Sequence, residues 1–518
     1  MASRCRQGVA VVVGLVVAGV LTACGSSDGG TGAVGQVDRS ATLRAALDTP
    51  PPSMDPHTTA SAIAQHPYSS LVYDRLTQMG PDLEVRPMLA MSWELAADRR
   101  SMTFSLRDGV SFSDGTALDA DAVKASLDRA LTSPESTVTS ALAVIGSVEV
   151  VDPRTVRITA TESAAALPAV LAGTEASIVS PAALRNPDLD VRPVGSGPYQ
   201  LEELQLGQTA TFVRREGYWD PEAQKAARIE MSFMPDPNAR LSSLSSGQID
   251  IANAAEGMYE QVTRMDGVVV HAYPAAATIN VRLNTNRPNI DKAEVRQALN
   301  YAIDREALVQ SLLQGRCDAI GQPLPEIYPG HLTDPPVAYT HDPERARQLL
   351  AQAGVPGGFT MTMLVGSGNR PFDQLATAMQ AQLVEVGITV EIVTQTAPTI
   401  FETWGKGGFD AYTIVSPTSA SPVITLRNTF QAASRYPGPR PPAFDEALAA
   451  AASPASDDTT VTASLERASS VAVEEAMNVW ICGRRTHVAA QDDVVGADTM
   501  GISHFAGILD LRGVGRTG

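Results

Sequence analysis

Four lysines, seven histidines and four cysteines are the scarce residue types on which the common serine-activating, phosphate-loop and zinc motifs would draw in this 518-residue chain. Three residues before Lys124, Lys225, Lys292 and Lys406 stand Asp121, Glu222, Asn289 and Thr403, so no Ser-x-x-Lys pair exists to activate a serine. No histidine is followed by glutamate, which removes the common zinc-protease helix. One Gly-x-Ser-x-Gly match, Gly25 to Gly29, lies in a Gly/Ser/Asp-rich stretch that cannot form the strained strand-to-helix turn a nucleophile needs. Lys406 follows Gly405 but lacks the upstream glycine and the following Ser/Thr of a phosphate loop. Gly195-Ser196-Gly197 lacks the third glycine and acidic partner of a dinucleotide site. Neither Cys317 nor Cys482 has Cys-x-x-Cys or Cys/His spacing, so no structural zinc is indicated. No catalytic residue, metal site or cofactor is therefore assigned.

The chain starts with basic Arg4 and Arg6, an apolar run from Val9 to Val20, and Leu21-Thr22-Ala23-Cys24. Such a run is shorter than the roughly 20 apolar residues a membrane-spanning helix needs, and it reads as an export signal, residues 1–23. Leu-small-small-Cys resembles the lipobox of bacterial lipoproteins. That resemblance implies a diacylglycerol on Cys24, which becomes the first mature residue and anchors the protein to the outer face of the cytoplasmic membrane. An ordinary signal with an incidental Cys24 is the alternative. Residues 24–40 are poor in anything to bury and read as a flexible spacer. Formal charge is −18, and −20 once Arg4 and Arg6 leave with the signal, which argues against nucleic acid and against basic patches on anionic lipid. In an exported protein the two remaining thiols, Cys317 and Cys482, are expected to pair; two separate buried thiols are the alternative.

The elements follow from periodicity. Met102, Phe104 and Leu106 alternate with polar residues as a half-buried strand, and Asp108-Gly109 and Asp114-Gly115 turn the chain. Asp119 or Asp121 caps a helix through Val123, Leu127 and Leu131, and a hairpin turns at Asp152-Pro153. After Asn284 the period becomes helical. Asp291 and Glu294 look like a capping box, and an apolar stripe runs from Val295 to Leu312, with Gly315 as its stop. Phe359 to Val365, Phe372 to Val386 and Ile388 to Val393 read strand, helix, strand, the order of a parallel α/β unit. At this length the chain predicts more than one domain.

Three blocks carry a wider resemblance: Ser92-Trp93-Glu94 through Phe112-Ser113-Asp114-Gly115-Thr116 to Asp121-Ala122-Val123; Gly195 to Tyr199 with Gly217-Tyr218-Trp219; and Val295-Arg296-Gln297-Ala298-Leu299 with Ala302-Ile303-Asp304-Arg305. In this order they resemble the family 5 extracellular solute-binding proteins of ABC importers, which include oligopeptide-, dipeptide- and nickel-binding members. The resemblance implies an α/β, two-lobed, type II periplasmic-binding-protein fold with an extra inserted domain, three domains in all. Lobe 1 would hold residues 41–73, 194–282 and 489–518, with the inserted domain at 74–193; lobe 2 would be 283–488. It also implies capture of a small peptide-like solute by hinge closure and delivery to permease and ATPase subunits, as a monomer. Metal chelates, haem-like molecules and glycoconjugates are the alternative solutes. An exported hydrolase or an envelope sensor lipoprotein is the alternative from another class.

Peptide-binding relatives usually carry a Trp and an acid after the Phe-Asp strand end. Here Phe409-Asp410 leads into Ser416-Pro417-Thr418-Ser419-Ala420-Ser421-Pro422, which holds hydroxyls and no carboxylate. Ser416, Thr418 and Ser419 could bond amide, sugar or chelate oxygens, or simply form a solvated loop. The resemblance brings Trp404 and Trp480 toward the cleft as an aromatic wall, with second-lobe core as the alternative. Arg484 or Arg485 could meet a ligand carboxylate, and at most one of these neighbours points inward. His57 and His66 lie in a segment that lines the cleft in relatives, and His66 is the candidate contact.

Cys24→Ala is expected to leave solute binding intact while membrane fractionation finds precursor or untethered protein. Loss of binding in that variant would contradict a purely tethering role.

Overall fold

The computed structural model describes residues 36–500 and 509–518, apart from 52, 60, 61, 83, 255–257, 368, 369, 420, 433 and 434. Cys24, the signal 1–23 and the spacer as far as residue 35 lie outside the described residues. Among those described, no helix is long and apolar enough to cross a membrane.

Val268–Leu283 and Asn478–Gln491 are the longest strands, and they pair antiparallel along two separate stretches. Val268 to Tyr273 faces Gln491 to Thr486, and Ala277 to Arg282 faces Arg484 to Asn478, with a register shift between Tyr273 and Ala277. Pro274 sits in that interval and has no N–H to give the ladder. On one side of the break the sheet continues through Ile251–Asn253, Thr42–Leu47, Arg228–Phe233, Thr209–Arg214 and Tyr199–Gln205. On the other it continues through Ala411–Pro417, Phe359–Gly366 and Ile388–Gln395, while Cys317–Ala319 pairs alongside Asn478–Gln491. The whole is one eleven-stranded sheet. Its apolar cores divide at the same place: Leu43, Ile229, Tyr273 and Val488 belong to one cluster, and Ile279, Leu299, Met363 and Ile481 to another.

A second, four-stranded antiparallel sheet runs Ala90–Leu95, Ser101–Leu106, Thr155–Ala160, Ile145–Asp152. Met102, Phe104 and Leu106 point into its own core together with Val123 and Leu127 of helix Ala120–Thr132. Of the two candidate caps, Asp119 is the one used, accepting from the Ala122 amide at 2.9 Å. The expected β–α–β unit is also present. Phe359–Gly366 and Ile388–Gln395 are parallel, and helix Arg370–Glu385 connects them. The segment after Gln491 packs back on the first body, with Val494, Ala497, Leu509, Leu511 and Val514 in the Leu43 cluster.

The stripe from Val295 to Leu312 is two helices, Ala293–Ala302 and Arg305–Leu312, rather than one. Ile303 is extended, and Asp304 restarts the helix by accepting from the Ala307 amide at 2.9 Å. The first helix begins after Lys292 with no side-chain cap, so Asp291 does not form the expected capping box. A competing cap inside the stripe outweighs its periodicity. Gly195 and Gly197 are packing glycines: a Cβ at either would strike the backbone of Val72.

Cys317 and Cys482 are joined by a disulfide, with Cα atoms 5.7 Å apart and a sequence separation of 165. It ties the segment after helix Arg305–Leu312 to a strand that runs through both halves of the sheet. Closing so long a loop removes on the order of 5 kcal/mol of unfolded-chain entropy in the simple chain model.

His57 binds the amino-terminal segment to helix Ala120–Thr132. Its Nδ1 lies 2.9 Å from Arg129 Nη1 and its Nε2 is 3.1 Å from the Ser177 carbonyl, while Arg129 also grips both Asp55 oxygens at 2.9 and 2.6 Å. The neutral tautomer satisfies this arrangement: Nε2–H donates to Ser177, and Nδ1 accepts from Arg129. Burial first, then the Arg129 charge, push the imidazole from 6.5 down to about 4, against the opposing pull of Asp55. Below pH 6.5 the unfolded imidazole binds a proton that the folded one refuses, so this group withdraws stability as the pH falls from 6.5 toward 4. The full loss is of the order of 3 kcal/mol. Denaturant titrations at pH 6.5 and 4.5 are expected to show a steeper loss in the wild type than in His57→Gln; equal losses would contradict this assignment.

Candidate ligand-binding site

Strand Ala411–Pro417 pairs with Val268–Leu283 so that Tyr412, Ile414 and Ser416 stand opposite Arg282, Asn280 and Thr278. Directly opposed residues share a face, and Asn280 and Arg282 are likewise opposed to Trp480 and Asn478 on the other side. The opposite face of Val268–Leu283 carries Ile279, Val281 and Leu283 into the large apolar cluster. The Arg282 face therefore holds a polar strip between two smaller apolar clusters, one around Trp404 and Tyr412 and the other around Trp480 and Phe430.

The strip is buried and incompletely hydrogen-bonded within the chain. Asn280 Nδ2 bonds Thr278 Oγ1 at 3.0 Å, and Arg282 Nη2 reaches Ser416 Oγ at 3.4 Å. Arg282 Nε and Nη1, Asn280 Oδ1 and both side-chain polar atoms of Asn478 have no protein partner. Burial, with the neighbouring charge of Arg435 behind it, pushes the Arg282 guanidinium down to about 10.

The hydroxyl loop that follows is largely self-contained. Thr418 is 1% exposed, bonds the Ala276 carbonyl through its hydroxyl, and lies 2.6 Å from Tyr328 Oη. The Ser419 amide donates to Thr425 Oγ1 at 2.7 Å, Ser419 Oγ accepts from the Ser421 amide at 3.3 Å, and Ser421 caps helix Pro422–Phe430. Ser416 is buried beside Arg282. Asp410, the acid nearest this loop in sequence, is already engaged. It accepts from Thr362 N and Oγ1 at 2.7 Å each and from Arg287 Nε at 2.8 Å.

Both candidate tryptophans are core residues in this structure. Trp404 is fully buried and donates through Nε1 to the Arg435 carbonyl at 3.2 Å, and Trp480 is 1% exposed among Leu426, Phe430 and Tyr436. His66 is 1% exposed and faces Asp510 at 3.7 Å. Asp510 lies well below the usual carboxylate range: burial works against this, but adjacent His66 and the charges of Arg512 and Arg75 outweigh it. Arg512, Asp74, Tyr218 and half-buried Trp219 continue that network, so the second sequence block joins Asp74, just after helix Ala62–Val72, to the returning carboxy-terminal segment. Arg484 is half-buried where the long strands cross, and exposed Arg485 pairs with Asp318 at 2.6 Å. Near that crossing a cavity of about 330 Å³ is lined by Tyr273, Pro274, Pro325 and Ile327.

The residues absent from the sequence expectations are Asn280, Arg282, Asn478 and Arg435, together with the contacts that hold the second part of the large sheet to the four-stranded body. Arg427 grips both oxygens of Glu162 at 2.8 and 2.6 Å, Arg99 pairs with Asp458 at 2.7 Å, and the Ser163 amide donates to the Ala452 carbonyl at 2.9 Å. One signal was readable: Asn280 and Arg282 alternate with apolar Ile279, Val281 and Leu283, which sets both on one face. No group of three His, Cys, Asp or Glu side chains among the described residues could hold a metal ion.

Residues 84–438 match the model of the bacterial extracellular solute-binding proteins, family 5, middle region. The glutathione-binding protein GsiB of Salmonella paratyphi A is 31% identical over 396 residues, covering 73% of this chain and 76% of that protein. Among solved structures, NikA from Brucella suis in complex with Fe(III)-EDTA superposes with a TM-score of 0.81 at 24% identity, over 92% of this chain and 99% of that one. The periplasmic binding protein DppA from Helicobacter pylori, in complex with the peptide STSA, gives 0.79 at 24% identity, over 92% and 98%.

Proposed function

The chain belongs to the bacterial extracellular solute-binding proteins of family 5, binding proteins rather than enzymes, and on that premise we propose that it captures a peptide-like solute for an ABC importer. The observation that carries this reading is the pair of strands, Val268–Leu283 and Asn478–Gln491, that alone run through both halves of the large sheet among the described residues. With their ladder interrupted at Pro274, they can serve as a hinge between a lobe of residues 41–73, 194–273 and 486–518 and a lobe of residues 277–485, the cores dividing at that break rather than at residues 282 and 488. The Arg427–Glu162 and Arg99–Asp458 pairs then belong to the closed form, since they join the second lobe to the inserted domain, residues 74–193. A solute with higher affinity for the closed form shifts the balance toward it and marks the receptor as loaded.

Relatives whose names state glutathione binding favour a short peptide over a chelate or sugar. In this reading the protein acts as a monomer outside the cytoplasmic membrane, tethered through lipidated Cys24 and working with permease and ATPase subunits. A diacyl anchor supplies the two chains that stable attachment needs.

The test is native mass spectrometry of solute carried through purification, followed by thermal shifts with glutathione, di- to pentapeptides, sugars and metal chelates. At least one peptide is expected to raise the melting temperature. Stabilisation by a sugar or chelate, with no response to any peptide, would overturn the substrate class.

A further inference from the structure

The other buried arginines show how this fold accommodates a guanidinium. Arg305 donates to the carbonyls of Trp480, Asn300 and Tyr339 at 2.7 to 3.0 Å and to Asn300 Oδ1 at 2.6 Å. Arg512 meets Asp74 at 3.0 Å. Arg75 also keeps unbonded nitrogens and has the Arg512 cation beside it, but Asp510 and Asp74 stand in the same field and oppose that charge. Arg282 has none of this. It is 2% exposed, two of its three nitrogens are unbonded, and the charged side chain acting on it is another cation, Arg435. A buried charge in that position calls for an anion.

Arg435 is exposed and its charge acts on Arg282, which sets it at the solvent edge of the strip. Its position is fixed from two directions. Trp404 Nε1 holds its carbonyl, and a few residues on the Pro437 and Pro439 carbonyls accept from Thr285 Oγ1 at 3.3 and 3.1 Å. Gly438, at φ +108°, packs so closely on Thr285 that a side chain there would collide with it. Beside Arg282 the strip offers Ser416 Oγ and the unbonded Asn478 Nδ2, both able to donate to an anion.

We propose that Arg282 and Arg435, flanked by Ser416 and Asn478, form the seat for a carboxylate of the bound solute. The inference rests on the reading of this chain as a solute receptor and adds the chemical class of the group that faces the second lobe. A carboxylate fits because its two oxygens can accept from two nitrogens of one guanidinium while the second cation completes the charge balance. The same wall repels an α-ammonium group, in keeping with a loop that carries no acid and an Asp410 already committed to Thr362 and Arg287. The solute is therefore held by its acidic end on this side.

Calorimetric titration of the mature full chain with glutathione and with the same tripeptide amidated at both carboxyls tests the seat. The acid is expected to bind wild type at least ~10-fold more tightly than the amide. In Arg435→Gln, on the exposed rim, and in Arg282→Met the two forms should come within about threefold of each other. A preference that survives in both variants, or a wild type that favours the amide or treats both alike, overturns the proposal. If neither form binds wild type, the solute reading has failed for this tripeptide, and saturation-transfer NMR with acetate decides the seat separately. Transfer that is present in wild type and lost in Arg435→Gln supports it; transfer equal in both, or absent from wild type, overturns it.

Discussion

Two strands carry the connection on which the rest of the architecture depends. Val268–Leu283 and Asn478–Gln491 each begin in one apolar core and end in another, and the ladder between them shifts register around Pro274. Had a third long strand crossed, backbone hydrogen bonds would lock the two halves into one slab. With two, and with one donor missing, the halves keep separate cores and share a narrow joint. The disulfide lies on the second-core side of the break, where Cys317–Ala319 pairs with Arg484 to Cys482, so it braces the joint without spanning it.

The same register explains the polar strip. Because Val268–Leu283 is flanked by a strand on each side, a residue in it is enclosed laterally by two neighbours and above by whatever covers the sheet. Ile279, Val281 and Leu283 fill the face toward the large core, which leaves Asn280 and Arg282 on the other. There the covering clusters centre on Trp404 and Trp480, apolar groups that meet on either side of the strip but give its polar atoms few partners. The tryptophans thus act as walls behind the strip: Trp404 also positions Arg435 through its indole hydrogen bond. The fold bonds buried Arg305 and Arg512 to carbonyls and an acid and sets Arg75 beside two aspartates, and this contrast gives the strip its meaning.

Much of the architecture was legible along the chain. The alternation of Met102, Phe104 and Leu106, the Asp119 cap and the strand–helix–strand run ending at Ile388–Gln395 are all local, set by residues within a few positions of one another. The break at Ile303-Asp304 was legible only in part, since the apolar stripe and the Asp304 cap make opposing local demands. The candidate site was the least legible. Whether Trp404 and Trp480 face a ligand or a core, and which partners surround Arg282, depend on pairings between strands more than a hundred residues apart. No periodicity within one strand encodes the side chains opposite it.

The central claim is that the two halves close on a solute about the paired strands. Distances between spin labels at exposed Ser140 and Glu466, measured by pulsed dipolar spectroscopy, test it most directly. A broad or two-component distribution is expected in the stripped protein, collapsing to its short component when the solute recovered from the native protein is added. A single distribution, the same with and without solute, would contradict it.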